Sequence, residues 1–301
     1  MYHKPVLLKE AVVGLAIIPQ GRYVDATFGG GGHSKAILDQ LGDHGRLIVF
    51  DQDPEAAGNL PGDPRMQFLN QNFRYMQNFL RLHGLIPADG ILADLGVSSH
   101  QFDEASRGFS TRMDGPLDMR MNKEAGPTAR EVVNEYEEEQ LADMLFHFGE
   151  LRNARKIARA IVSHRKSTLI ETTGQLTGIA IKLAPRGKEN QFLARVFQAI
   201  RIEVNQELEA LKELLEQSSS VLKPGGRLVV ISYHSLEDRL VKNYMRAGNF
   251  EGIVKKDFYG KPLVPFKPVG KSLSPGPEET DENPRARSAR LRIAEKLDIG
   301  H

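Results

Sequence analysis

Four consecutive glycines, Gly29 to Gly32, lie between a short strand pattern, Arg22 to Phe28, and a helix-like stretch from His33 to Leu41. Glycines so placed let the backbone approach a ligand closely and present amide N–H groups at a helix N-terminus. Asp25 stands just before them, and Asp51 ends the next strand, Arg46-Leu-Ile-Val-Phe50. An acid at the end of that second strand can accept hydrogen bonds from both hydroxyls of a ribose. Asp53 competes for the role, but its position before Pro54 suits it better to capping a helix. Together these residues read as a nucleoside-cofactor site. A second polar run, Asp94-Leu-Gly-Val-Ser-Ser99, follows the apolar strand Gly90-Ile-Leu-Ala, where ligands of open α/β sheets sit.

Spacing alone is compatible with either NAD(H) or S-adenosylmethionine. An acid inside the first strand, ahead of the glycines, can bind a cationic amino-acid moiety, whereas it would repel the pyrophosphate of a nicotinamide cofactor. That order favours S-adenosylmethionine, with a methyl acceptor placed near Asp94. Zero cysteines exclude disulfide scaffolds, thiol nucleophiles and cysteine-ligated zinc or iron–sulfur sites. No two of the 9 histidines have the HxxxH spacing of a helical metal site, so no metal is expected.

The elements that must position these residues alternate β and α from Arg22 to Asp94, which implies a parallel sheet with right-handed crossovers. The alternation then stops: Arg107 to Met121 is irregular, and Ala129 to Ile181 and Phe192 to Leu222 are mostly helical. The next clear strand is Arg227 to Ser232, after the turn Lys223-Pro-Gly-Gly226. That gap is too long for an ordinary crossover. The expected fold is therefore α/β, a Rossmann-like class I S-adenosylmethionine-dependent methyltransferase sheet with an inserted all-helical domain. The expected boundaries are 1–104 and 206–301 for the sheet domain and 105–205 for the insertion. Gly260 to Pro284, rich in Pro, Gly, Ser and acid, reads as an extended or mobile loop. The most apolar N-terminal piece, Ala11 to Ile18, is too short for a membrane span and lacks a signal-peptide context, so a cytoplasmic protein without a membrane partner is expected.

The 301 residues are 40% hydrophobic and 26% charged, with 40 basic and 39 acidic side chains, ordinary for a folded domain. Charge is unevenly distributed. Glu131, Glu135, Glu137, Glu138, Glu139 and Asp143 form an acidic stretch, and Arg152 to Lys166 is basic without an acid. Arg152, Arg155, Lys156 and Arg159 fall at i, i+3, i+4 and i+7, with Ile157, Ile161 and Val162 offering an apolar side. Such a stripe is either a solvated face or a phosphate-binding one.

The chain resembles the bacterial MraW-type methyltransferases, which modify the exocyclic N4 of a cytosine in small-subunit (16S) ribosomal RNA. The resemblance covers nearly the whole chain. It rests on HKPVLLKEAV at the start, DATFGGGGHS at 25–34, DLGVSSHQ at 94–101 and RGFSTRMDGPLDMRM at 107–121. It continues through FGELRNARKIARAI at 148–161, VFQAIRIEVNQEL at 196–208, ISYHSLEDR at 231–239 and NPRARSARLR at 283–292. One departure is Gln191-Phe-Leu-Ala194, where the family often has His-Pro-Ala-Thr.

The resemblance implies S-adenosylmethionine bound by Gly31, Gly32, His33, Asp51, Phe73, Asp94 and Gln101. Phe73 can offer a ring face to adenine or serve as a core aromatic. Methyl transfer to a cytosine amine requires alignment of a poor nucleophile and acceptors for its N–H bonds. Asp94, Ser98, Ser99, Ser232 and His234 are candidates by location, and Asp114 and Asp118 belong to a loop able to exclude water. Arg112, Arg120, Arg152, Arg155, Lys156, Arg159, Arg285 and Arg287 are candidates for contacts with ribosomal RNA or the 30S subunit, whose target base must be unstacked to react. The rivals are a DNA amino-methyltransferase, disfavoured because DLGVSS replaces the expected Asn/Asp/Ser-Pro-Pro-aromatic motif, and a ribosome-assembly factor with incidental catalysis.

Overall fold

The structure, a computed structural model, describes residues 5–298. His3 and Lys4 of the opening motif and the side chain of Ser99 lie outside the described residues. The chain divides into two compact units: Met1–Gly96 with Leu208–His301, and Val97–Glu207.

In the first unit, strands β1 (Arg22–Asp25), β2 (Arg46–Phe50), β3 (Met66–Leu69), β4 (Ala88–Asp94), β5 (Leu222–Ser232), β6 (Phe266–Pro268) and β7 (Arg290–Lys296) form one sheet in the order β3-β2-β1-β4-β5-β7-β6. β1 to β5 pair in parallel, and β7 runs antiparallel to both β5 and β6. Alternate residues leave the sheet on opposite faces, so each strand feeds two cores. Ile48, Phe50, Ile91, Ala93, Leu228 and Val230 join one core, and Leu47, Val49, Leu92, Val229 and Ile231 join the other. Near-continuous apolar strands are what a sheet covered on both faces requires.

Helix α1 (Leu8–Leu15) and α2 (Gly32–Leu38) supply Ala11, Leu15, Ile37 and Leu38 to the second of these cores. Helix α3 (Met76–Leu82), and helices that follow the insertion, cover the first core through Met76, Leu80, Leu211 and Leu215. The expected turn Lys223 to Gly226 lies inside the span of β5: pairing with β4 skips from Ala88↔Leu222 to Gly90↔Arg227. The proline and glycines thus make a bulge in the strand. Asp53 caps only a 3₁₀ turn, Pro54–Asn59, where a longer helix was expected.

The second unit has its own core around Val132, Leu145, Ile157, Ile161, Val196 and Ile200. Its helices are α4 (Ser99–Asp103), α5 (Ala129–Glu135), α6 (Glu138–His147), α7 (Ala154–Arg165), α8 (Thr173–Ala180) and α9 (Glu189–Asn205). It begins at Val97, ahead of the boundary expected at 105, because the polar run after β4 opens α4. Helix α10 (Glu207–Val221) leads back to β5, and α11 (Ser235–Ala247) follows it. Gly260 to Pro284, expected as a loop, contains β6 and helix α12 (Pro277–Glu282). Among the described residues no helix is long and apolar enough to cross a membrane.

Candidate active site

The chain leaves β1 for β2 and β3 on one side, then returns to β4 on the other, so the carboxyl ends of β1 and β4 flank a topological switch point. Asp25 and Asp94 end these strands, and Asp51 follows the end of β2.

The glycine loop needs glycine for distinct reasons at neighbouring positions. Gly29 (φ +50°) and Gly31 (φ +74°) are in the left-handed region. At Gly32 an added Cβ would lie 2.1 Å from Pro5 Cγ, whereas at Gly29 it would meet nothing within 4 Å. The loop is therefore closed by the chain's own packing at Gly32 and open at Gly29. At that open position Gly29 N–H donates to Asp51 Oδ2 at 2.7 Å, and Asp53 N–H donates to Asp51 Oδ1 at 2.8 Å. Asn59 Nδ2 holds the Gly29 carbonyl at 2.9 Å. Burial pushes the Asp51 carboxyl up to about 6, against the lowering effect of the two N–H donors.

Asp25 does not offer its carboxylate to a ligand's ammonium, as its place ahead of the glycines suggested. It is 1% exposed, accepts from Ser34 Oγ at 2.6 Å and from Thr27 N–H at 3.0 Å, and so ties β1 to the first turn of α2. Burial nonetheless raises its pKa.

Asp94 is the centre of a polar cluster. Its N–H donates to Thr27 Oγ1 at 2.6 Å, Tyr233 Oη donates to its Oδ1 at 2.8 Å, and His33 Nδ1 stands 3.6 Å from its Oδ2. His33 Nε2 lies 3.1 Å from the Val6 carbonyl, which can only accept, so Nε2 carries the proton. Burial pushes the Asp94 carboxyl up to about 6, with the favourable field of His33 and the Tyr233 hydrogen bond opposing it. The Tyr233 phenol is raised by burial and then by the Asp94 charge, so it remains a donor at neutral pH. Gly96 (φ +95°) lets the chain turn past the Tyr233 ring, 3.4 Å from where a Cβ would stand. Tyr233 stands between Ser232 and His234, and its one signal in the sequence is that a tyrosine directly follows a strand end.

The remaining candidates are engaged elsewhere. Ser232 is buried in the sheet, where Oγ donates to the Arg290 carbonyl at 3.4 Å. His234 is the N-cap of α11: its Nδ1 accepts from Glu237 N–H at 3.4 Å, and its Nε2 lies 3.2 Å from Glu237 Oε1. Phe73 is partly buried and packs against the sheet core.

In the second unit, Ser98 and Gln101 form the capping box of α4. Asp118 is held by Arg120 through Nε and Nη2, both at 2.9 Å, which keeps its carboxyl below the usual range. Asp114 accepts from Gly174 N–H at 2.7 Å at the start of α8, and its pKa is lowered chiefly by that bond. Arg112, Arg155, Lys156 and Arg159 are exposed, and Arg159 pairs loosely with Glu138 at 3.4 Å. Arg152, read as the first residue of the helical stripe, precedes α7, so the stripe on the helix itself starts at Arg155. Arg285 and Arg287 are exposed on a 3₁₀ turn of the first unit.

The donor set suits S-adenosylmethionine: a carboxylate beside open backbone at Gly29 can take ribose hydroxyls, and the Asp94 carboxylate at the end of β4 suits a cationic ligand. A carboxyl poised near 6 at the end of β4 is ionised at neutral pH and basic enough to take a proton.

Residues 1–297 match the family described as the MraW methylase family. The ribosomal RNA small subunit methyltransferase H of Christiangramia forsetii is 58% identical over 98% of this chain and 98% of its own. The protein of the same name from Cytophaga hutchinsonii is 55% identical over 98% of this chain and all of its own, 100%. Among solved structures, an rRNA methylase from Streptococcus thermophilus has a TM-score of 0.45 at 12% identity, covering 99% of each chain.

Proposed function

The chain belongs to the MraW methylase family, and from that membership we propose that it transfers a methyl group from S-adenosylmethionine to the exocyclic N4 of a cytosine in small-subunit ribosomal RNA. The observation that carries the reading is the Asp94 cluster, a carboxyl with raised pKa at the switch point of the sheet, beside the glycine loop and Asp51.

When bound, S-adenosylmethionine supplies a methyl carbon activated by its sulfonium. The protein's part is alignment and proton handling. Asp51, fixed by the Gly29 and Asp53 amides, binds the ribose, and Gly31, Gly32 and His33 shape the wall beside it. Asp94 accepts an N–H of the cytosine amine, which counters delocalisation of its lone pair into the ring, and takes the proton as positive charge develops. Tyr233 orients Asp94 by holding Oδ1, so that Oδ2 is turned toward His33 and left to accept the proton. Arg155, Lys156 and Arg159 on α7 contact RNA phosphates.

The test is nucleoside mass spectrometry of small-subunit RNA, free and in 30S particles, after incubation with the protein and methyl-labelled S-adenosylmethionine. Label on cytosine N4 is expected. Label on another base, or on cytosine C5, would defeat the assignment.

A further inference from the structure

Phe258 and Tyr259 are 97% and 90% exposed, more than any other large hydrophobic residue among those described, and they are adjacent. They sit at the tip of a closed hairpin. Leu263 N–H donates to the Lys255 carbonyl at 2.8 Å, Lys256 and Pro262 form an antiparallel bridge, and Asp257 N–H donates to the Lys261 carbonyl at 2.9 Å. The turn is built by Asp257, whose Oδ1 accepts from Tyr259 N–H at 2.9 Å and Lys261 N–H at 2.8 Å, and by Gly260 at φ +83°. Nothing in that turn chemistry calls for aromatic side chains. The two rings meet edge to face, centroids 5.5 Å apart and planes at 87°, which leaves ring faces open to solvent.

The segment leading into the hairpin is fastened. Asn243 Nδ2 holds the Phe250 carbonyl and Arg246 Nη2 the Gly252 carbonyl, both at 2.7 Å, and Phe250 stacks on Tyr244 at 5.3 Å. Lys255, Lys256 and Lys261 are exposed around the tip.

We propose that hairpin 255–263 is an RNA-docking element, in which Phe258 and Tyr259 stack on unpaired nucleobases and Lys255, Lys256 and Lys261 contact phosphates. Exposed aromatic faces set among cations on a braced turn are the combination that single-stranded RNA binds, stacking giving grip and lysines giving charge. Ile253, Val254 and Leu263 are exposed on the arms as well, but Lys255, Lys256 and Lys261 around the rings would stand unmatched against an apolar protein partner, whereas phosphates match them. The proposal rests on the RNA-methyltransferase reading.

Methyl transfer is measured for the full chain and for the F258A/Y259A variant on unmethylated 16S RNA and on 30S subunits. Loss of stacking raises KM for RNA by roughly 5- to 150-fold while kcat at saturating RNA and S-adenosylmethionine affinity hold. The chain has no tryptophan, so Phe258→Trp introduces a single indole that reports stacking directly. Its fluorescence should be strongly quenched by RNA under conditions where anisotropy of labelled RNA shows saturation. Unchanged KM in the double variant, or an unquenched indole with RNA bound, overturns the proposal. So does a defect confined to 30S subunits, which identifies a ribosomal protein as what the hairpin touches. If the unaltered chain methylates neither substrate, the functional reading fails instead, and the two failures are distinguishable.

Discussion

His33 Nδ1 and Asp94 Oδ2 face each other at 3.6 Å while the far ring nitrogen is committed to the Val6 carbonyl. With Nε2 as the donor to that carbonyl, Nδ1 is the ring nitrogen turned toward the carboxylate. The contact joins the first turn of α2 to the end of β4, so the ring that Val6 fixes is also the wall beside Asp94.

The pH dependence follows from the sign of the Asp94 shift. Its carboxyl titrates near 6 rather than 3.8, and only the ionised form accepts a proton, so the single-turnover rate should fall as pH drops through about 6. A pH–rate profile checks this; a limb that stays flat down to pH ~5 removes Asp94 as acceptor. For stability the sign is opposite. Asp51 and Asp94 bind protons more tightly folded than unfolded, so their contribution is full below 3.8 and lost as pH rises through about 6.

Asp94→Asn keeps size and an acceptor oxygen but removes the charge. If Asp94 serves the acceptor amine, single-turnover transfer falls by ~10²-fold or more with cofactor affinity little changed. If it serves the cofactor, affinity falls and saturating cofactor restores the rate. Tyr233→Phe should produce a smaller loss in rate and shift the acid limb upward, because the donor that lowers the Asp94 pKa is gone.

Replacing Asp51 with alanine removes a carboxylate that the Gly29 and Asp53 amides hold ready. Calorimetry should show S-adenosylmethionine binding weakened by about 1.5–3 kcal/mol, the usual worth of hydrogen bonds to a charged group. Unchanged affinity would move ribose binding to another residue.

Charge reversal of Arg155, Lys156 and Arg159 to Glu should weaken RNA binding without affecting cofactor binding. Loss of about three phosphate contacts flattens the slope of log K against log salt by roughly two to three units. A slope that does not move marks the face of α7 as merely solvated.

Gly32→Ala places a methyl group against Pro5. Overpacking of this kind costs about 1–3 kcal/mol, visible as a lower denaturant midpoint, whereas Gly29→Ala meets open space and should be felt as backbone strain and in cofactor binding.

What could be read from residues in order was local. Glycine loop, Asp51 at the end of β2 and Asp53 as a cap are all set by neighbours within one βαβ unit. Tyr233 was not legible because it reaches Asp94 through the register of β4 on β5, Asp94↔Ile231, across the whole inserted unit. Asp25 looked available beside the glycines, and only the packing of α2 shows Ser34 taking its oxygen. Asp114 likewise looks like a loop acid until the start of α8 brings Gly174 to it, whereas Asp118 pairs with Arg120 only two residues away. The hairpin at 255–263 was hidden for a different reason: its turn depends on one aspartate folding back on its own backbone, without the Asn-Gly or Asp-Gly pair that announces tight hairpins.

The interruption of the sheet between β4 and β5 has a consequence for synthesis. As the chain emerges, β1 to β4 can pair among themselves, but the free side of β4 must wait until Leu222–Ser232 has been made, and β5 in turn waits for β7 near the C-terminus. Val97–Glu207 carries its own core and is complete well before then. The nascent protein therefore passes through a stage with a finished helical unit and an open sheet edge, the kind of exposed template that invites aggregation or chaperone binding. Asp94 lies on that unfinished edge. The residue expected to handle the proton cannot be oriented by Tyr233 until the whole inserted unit and β5 have been made.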